Sequence, residues 1–350
     1  MRDLDCGGRH VYLRFHLRRV RCRQCGVRRE RLEFLASPPR FTVRFENEVG
    51  QRLRDTPIAA VASLLGLSWD QVRRIEMSYM QRVLDATPFE PPRVIGIDEV
   101  SVKKGRRYRI VVSDLERRRP IWLGGKDRSA ESMAEFFAFL EKTAPGAASK
   151  VEIAVMDMWA PFRIALRENA PKARIVYDKF HVMRHLGDAL DTVRKQEYRK
   201  ASEKDRRFIK GQKYTLLAAR EHLGLEKRRS LKLLLSANRR IHRAYLLRET
   251  FGQLWSFRRP GWARRFFDRW KDQLKWQRLE PFRKFAAMVE RHWEGVEAYS
   301  RPENKVSLGF VEGVNNKIRV IQRRAYGIRN QEYLRLKVLT AFINPAVLSL

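Results

Sequence analysis

Cysteine is scarce in this 350-residue chain. Three thiols, two of them in a single CxxC, exclude a disulfide-stapled fold and suit a reducing compartment, the cytoplasm, and a metal site. Long apolar runs are missing as well: none reaches the roughly 20 residues that cross a bilayer, and the N-terminus lacks the apolar core of a signal peptide. Acids are few. Against 74 Lys and Arg there are 40 Asp and Glu, giving a formal charge of +34 and a pI near 10.9. A soluble chain with that excess repels itself unless a polyanion neutralises it, and with a membrane surface fitting poorly, the expected partner is nucleic acid. The length allows about two or three domains with a real core.

Residues 1–50 are expected to form a partial zinc-ribbon-like module. Val11, Leu13, Phe15 and Leu17 alternate with polar or aromatic neighbours, the period of a strand leading into Cys22 and Cys25. Two thiolates leave a tetrahedral Zn2+ site half filled. Cys6 and His10 are the candidates to complete it, and a CxxC left without metal is the alternative.

A helix-turn-helix is expected over residues 51–86. Thr56 is placed to cap a helix with Pro57 at its first position, and Ile58, Val61, Ala62 and Leu65 form its inner face. Gly66 ends it. Ser68 and Gln71 then make a capping-box pair for a second helix, with Val72 and Ile75 inward and Arg73 and Arg74 outward, where they would contact DNA. An ordinary helical hairpin has the same signature; the basic composition favours a second helix that enters the major groove.

"ATPFEPPR", residues 86–93, carries three prolines and reads as a linker. Beyond it "RVIGIDEVSV", a "KKGR" turn and "YRIVVSDL" predict a hairpin, and "PIWLGG" a third strand. A helix over 130–142, a strand "VEIAVMD", a helix "APFRIALREN" and a strand "RIVYD" follow. Three antiparallel strands and then alternating helix and strand predict an α/β domain with a mixed sheet over residues 93–184. Residues 185–302 read as a basic helical insertion holding Trp255, Trp262, Trp270, Trp276 and Trp293. Their helical spacing favours core, whereas aromatics among arginines also stack on unpaired bases. Residues 303–350 close the domain.

Asp98 ends "VIGI" and Asp157 ends "IAVM". If those strands are parallel neighbours, a right-handed crossover brings both carboxylates to one sheet edge, where a divalent cation such as Mg2+ or Mn2+ binds with substrate phosphate. In 310–324 the apolar Phe310, Val311, Val314, Ile318 and Ile321 take one helix face, while Glu312, Asn315, Asn316, Arg319 and Arg323 share the other. Glu312 is then a candidate third carboxylate, or a plain exposed glutamate. Gly313 beside it suggests close approach of backbone or phosphate.

The stretches "VIGIDEVSVKKG", "YRIVVSDL", "AVMDMWAPF", "DKFHVMRHL" and "SLGFVEGVNNKIRVIQRRAYGIRN" occur in one order from 94 to 340. In them the chain resembles the DDE transposases of bacterial insertion sequences, specifically the ISL-three family. The resemblance implies a ribonuclease-H-like catalytic domain, with Asp98, Asp157 and Glu312 as the metal-binding triad and Asp178 and His181 of "DKFH" as an accessory element. Water would first free a 3′-OH at the element end, and that hydroxyl would attack target DNA in line, two Mg2+ ions assisting. Arg319, Arg323 and Arg324 would neutralise flanking phosphates, with Asn315 and Asn316 beside them. Partners would be the terminal inverted repeats and target DNA, with at least a homodimer in the synaptic complex, in the bacterial nucleoid. Relatives usually carry an earlier cysteine pair that shares one zinc with the second, and here the chain begins after that place, which implies a start placed too late or a shortened ribbon. A ribonuclease-H-like nuclease without strand transfer, and an inert DNA-binding regulator, are the rival readings.

Overall fold

The computed structural model describes the chain apart from residues 31, 37–39, 104–106, 219, 305–308, 326 and 349–350. Its first ordered feature is a hairpin of β1 (Arg19–Cys22) and β2 (Gly26–Arg29), closed across the CxxC so that Cys22 pairs with Gly26. The alternation from Val11 to Leu17 survives as alternately half-buried and exposed side chains, but the stretch is not a strand. It makes a short pairing with residues 1–3, in which the Leu13 amide donates to Met1 and the Asp3 amide to Val11. Period two expresses a sided surface; a strand also needs a ladder, and none forms here among the described residues.

Three helices follow: α1 (Val43–Arg52), α2 (Ile58–Leu65) and α3 (Trp69–Asp85). Thr42 caps α1 by accepting from the Phe45 amide, and Ser68 and Gln71 form the expected capping box on α3. Pro57, not Thr56, is the N-cap of α2, with no side-chain cap bond. Gly66 ends α2 at φ 61°, a left-handed conformation in which only a residue without Cβ escapes strain. Phe45, Val49 and Leu53 pack with Val61, Leu65, Val72 and Ile75, so α1 shares one apolar core with the two helices after it.

The sheet holds β3 (Val94–Lys103), β4 (Arg107–Asp114), β5 (Arg119–Gly124), β6 (Ile153–Met156) and β7 (Arg174–Tyr177) in the order β5-β4-β3-β6-β7. β3, β4 and β5 are antiparallel, and β6 and β7 run parallel to β3. This is the mixed α/β arrangement expected from the strand pattern; most of the "KKGR" turn lies outside the described residues. Helices α4 (Ala130–Thr143) and α5 (Ala160–Asn169) make the crossovers. Buried on both faces, β6 reads "IAVM" without a polar residue.

From β7 the chain enters α6 (Lys179–Lys200), α7 (Glu203–Gly211), α8 (Lys213–Leu217), α9 (Leu225–Ala237), α10 (Arg239–Phe251), α11 (Pro260–Asp272), α12 (Glu280–Arg291) and α13 (Trp293–Glu297). Among the described residues this stretch contains no strand. Phe251 lies 4.9 Å from Trp270 and 5.0 Å from Phe285, and this aromatic cluster belongs to the same buried core as Ile95, Ala154 and Met156 of the sheet. Trp255 and Trp270 are thus core, whereas Trp262 is 50% and Trp276 87% exposed. The last helices, α14 (Gly309–Arg324) and α15 (Gln331–Thr340), cover the other face of the sheet: Val314 and Ile318 meet Val100, Val111, Leu334 and Val338. No helix among the described residues is long and apolar enough to cross a membrane.

Candidate active site

Parallel pairing decides where the aspartates stand. Gly96 on β3 faces Val155 on β6, and Met156 faces Tyr177 on β7. The same register carried past the last pairs sets Asp98 level with Asp157 and Asp157 level with Asp178, with Asp98 midway along β3 and the other two just beyond the carboxyl ends of β6 and β7. Residues side by side in a parallel sheet project to one face, with strands about 4.8 Å apart. The Asp178 amide donates to the Met156 carbonyl at 3.0 Å, holding the third member in line. Sequence reading placed Asp98 and Asp157 at one edge; that Asp178 continues their row required the register.

Each carboxylate is oriented locally. Asp157 Oδ1 accepts from the Met158 amide at 2.6 Å, and Asp98 Oδ1 from the Glu99 amide at 2.7 Å. Asp178, buried at the start of α6, accepts from the Phe180 amide at 2.8 Å and lies 3.5 Å from His181 Nδ1. Asp98 keeps some exposure, yet most of its surroundings are protein. That desolvation, with the nearby charges of Asp178 and Glu99, pushes its carboxyl up to about 6 against the lowering pull of the Glu99 amide and His181. Burial alone would depress His181, but its contact with Asp178 and the charges of Asp157, Asp98 and Asp178 outweigh it and raise the imidazole. Negative charge at this edge therefore exceeds what its histidine balances.

α14 closes the site from one side. Asn315, expected among the DNA-facing residues, is buried instead and donates from Nδ2 to Asp98 Oδ2 at 2.6 Å. It positions the carboxylate. One helical turn earlier on the same helix, Glu312 is exposed. Among the described residues no three His, Cys, Asp or Glu side chains converge closely enough to hold a metal ion, neither the three aspartates together nor two of them with Glu312.

Close packing of α14 on the sheet occurs at a different glycine from Gly313. A Cβ on Gly313 would meet nothing within 4 Å, which leaves its surroundings open, whereas one on Gly96 would come within 2.8 Å of both Leu115 Cδ2 and Val311 Cγ2. Val311 seats α14 on β3 at that point. Leu115 has rotamers to spare, but Val311 is β-branched and stiff. Gly96→Ala is therefore expected to push α14 outward. Overpacking of this kind costs about 1–3 kcal/mol, and a displacement near 1 Å at reacting groups costs about 10²-fold in rate; single-turnover cleavage measured beside chemical denaturation checks both.

A platform not foreseen from sequence flanks the row. Arg128 pairs with both oxygens of Glu99 at 3.0 Å and lies 4.6 Å from the Trp159 ring centroid and 4.8 Å from that of Tyr108. The Trp159 indole in turn donates to the Arg128 carbonyl at 2.8 Å. "AVMDMW" carried the only local signal, a tryptophan two residues beyond an acid.

The remaining candidates divide. Arg74 is exposed on α3, but Arg73 is half-buried, with its guanidinium 5.7 Å from the Trp69 ring and 5.5 Å from the Tyr333 ring. Asn316, Arg319 and Arg323 are exposed on α14, with Arg319 donating to Asn316 at 3.0 Å. Arg324 turns the other way and donates to the Arg54 carbonyl at 3.0 Å, away from the aspartate row. Cys22 and Cys25 flank the hairpin turn, and hydrogen bonds from the Cys25 and Gln24 amides and the Cys25 thiol lower Cys22, as suits a metal-binding thiolate. Cys6 is exposed, and His10 is engaged by Arg2 at 2.9 Å and Asp5 at 3.2 Å, so neither is drawn to the CxxC in the described structure.

A transposase family model matches residues 95–338, from β3 to α15, and a model of the helix-turn-helix domain of transposase family ISL3 matches residues 30–79. The chain belongs to the ISL3 family of transposases. It is 33% identical over 346 residues to the transposase for insertion sequence element IS1001 of Bordetella parapertussis, covering 98% of this chain and 84% of that one. It is 27% identical over 370 residues to the transposase for insertion sequence element IS1557 of Mycobacterium tuberculosis, covering 97% and 80%. An insertion-sequence transposase with a DNA-binding helix-turn-helix is what its charge of +34 serves. The helix-turn-helix match spans α1, α2 and most of α3 and so agrees with their common core.

Proposed function

We propose that this transposase cleaves the ends of its element and joins them to target DNA by metal-dependent phosphoryl transfer at the edge occupied by Asp98 and Asp157, on a ribonuclease-H-like sheet. The observation that carries the reading is the shared level of these aspartates on adjacent parallel strands, joined by Asp178 in a row whose negative charge His181 only partly offsets. Hard carboxylate oxygens with uncompensated charge suit Mg2+ or Mn2+. Asp98, Asp157 and Glu312 would hold the metal, which when bound activates an attacking oxygen and stabilises charge on the departing one.

The chain's own groups do the rest. Asn315 fixes Asp98 Oδ2 and leaves the carboxylate one orientation. His181, whose imidazole is raised by its contact with Asp178 and the charges of Asp157, Asp98 and Asp178, would offer incoming phosphate a hydrogen-bond donor. Asn316, Arg319 and Arg323 line the exposed side of α14 and take the flanking phosphates, contacts that set salt dependence more than sequence choice. Support for Glu312 is its position one turn before Asn315, on the helix that touches Asp98. Register favours a second reading, in which Asp178 supplies the third carboxylate.

Labelled element ends incubated with Mg2+ or Mn2+ test the proposal by release of the end and its transfer to a target duplex. Glu312→Gln and Asp178→Asn separate the two readings: the true third acid loses cleavage by at least about 10³-fold, a barrier rise near 4 kcal/mol, while the other variant retains most activity. Cleavage without transfer by the unaltered chain would instead mark a simple nuclease. The Cys22 and Cys25 knuckle is a further metal site only if other ligands join it, since a structural zinc takes four.

A further inference from the structure

Between the helix-turn-helix and the last two helices lies a cavity of about 520 Å³, unconnected with the aspartate row. Trp69 and Arg73 of α3 form one wall, Lys317 and Ile321 of α14 another, with Arg329 just before α15 and Tyr333 in its first turn. Sites of about 300–1,000 Å³ hold one small ligand, so a single nucleotide fits where a duplex does not. Its chemistry is two-sided. The aromatic edge is built on Arg73, whose guanidinium bridges the rings of Trp69 and Tyr333. Stacking between such groups is the usual recognition of a base without regard to its identity.

The other side is cationic beyond its own needs. Lys317 and Arg329 make no ion pair or side-chain hydrogen bond among the described residues, and the cavity's one acid, Asp55, is largely exposed. The Tyr79 hydroxyl, on a side chain only 2% exposed at the cavity wall, is faced by the Arg54 guanidinium, a further cation of the lining. We infer that this cavity binds one unstacked nucleotide, its base against Trp69, Arg73 and Tyr333 and its phosphate at Lys317 and Arg329. The inference rests on the DNA-processing reading only for where the nucleotide comes from: a strand of bound DNA or a free nucleotide presents the same chemistry. Because Lys317 stands two residues from Asn315, an occupied cavity touches the helix that orients Asp98.

The test uses the full chain and two probes, dAMP alone and a duplex carrying one unpaired 2-aminopurine. Lys317→Ala with Arg329→Ala removes cations that make no internal bond; Ala59→Trp fills the cavity from an exposed position on α2. Both proteins are checked by circular dichroism. Quenching of 2-aminopurine emission on binding, weakened about tenfold or more in both variants, assigns the nucleotide to DNA. Saturable quenching of tryptophan emission by dAMP, weakened alike, assigns it to the free pool. If neither probe distinguishes either variant from the unaltered protein, the inference is overturned. Cleavage of fully paired element ends by the unaltered chain, measured in parallel, reports on the transposase mechanism separately.

Discussion

Asp98→Asn binds element-end DNA as the unaltered chain does, cleaves it at least about 10³-fold more slowly, and melts at a higher temperature in metal-free buffer. The first two results follow from charge: the amide is nearly isosteric, so the fold and the basic surfaces remain, but an anionic oxygen donor is gone, and a loss of that size is about 4 kcal/mol of barrier. The third follows from the raised carboxyl. A carboxyl whose folded value, about 6, lies above its ordinary range opposes folding wherever it is ionised. Its contribution is therefore neutral in acid, where it is protonated in both states. Stability is lost as pH rises from the ordinary carboxylate range through about 6, and the asparagine variant escapes that loss at neutral pH. Mg2+ reverses the comparison, since a ligand that binds only the folded state raises its melting temperature and does so less for the variant. Thermal scans at pH 5 and pH 8, with and without Mg2+, read all of this beside a gel assay of cleavage. Equal melting behaviour of the two proteins under every condition, with cleavage intact, would remove Asp98 from the chemistry.

The same residue marks how far the sequence carries. Asp98 and Asp157 were legible as a pair because each ends an apolar run, and strand order then had few alternatives. The capping box at Ser68 and Gln71 and the break at Gly66 were legible because a cap is a contact between near neighbours. What stayed hidden depends on contacts between distant segments. Asn315 shares a helix face with Glu312 and Arg319, and nothing local says that its amide reaches Asp98, 217 positions away. Gly313 and Gly96 both interrupt regular elements, and only the packing of Val311 shows which gives room for an approach. The run from Val11 to Leu17 carries the period of a strand but pairs only briefly with residues 1–3, since periodicity reports a surface and not a ladder. Arg73 and Arg74 are alike in sequence, yet the docking of α3 on α15 turns the first inward and leaves the second outside.

That docking joins an apolar cluster of Tyr79, Met80, Val83 and Leu336 to one buried acid, and removing the acid is expected to destabilise the chain strongly. Glu76 on α3 is 2% exposed; it accepts from the Tyr333 hydroxyl and from Lys337 Nζ, both on α15, while Lys337 also reaches the Leu53 carbonyl at 3.2 Å. Burial and the adjacent Glu76 charge raise the Tyr333 hydroxyl, so it remains a donor across the working pH range. Glu76→Ala leaves an ammonium and a hydroxyl enclosed without their acceptor, and breaking a buried pair from one side costs about 3–5 kcal/mol. Tyr333→Phe keeps the ion pair and should cost about 1–3 kcal/mol. Replacing both charges, Glu76→Leu with Lys337→Met, should recover much of the loss, because matched apolar groups avoid the desolvation that the pair must overcome. Urea denaturation of the four proteins orders them. If Glu76→Ala is as stable as the unaltered chain, the helix-turn-helix is not held to the catalytic domain through this acid. If it is destabilised and the double variant is rescued yet cleaves poorly, the pair sets the relation of the two modules and not merely their stability.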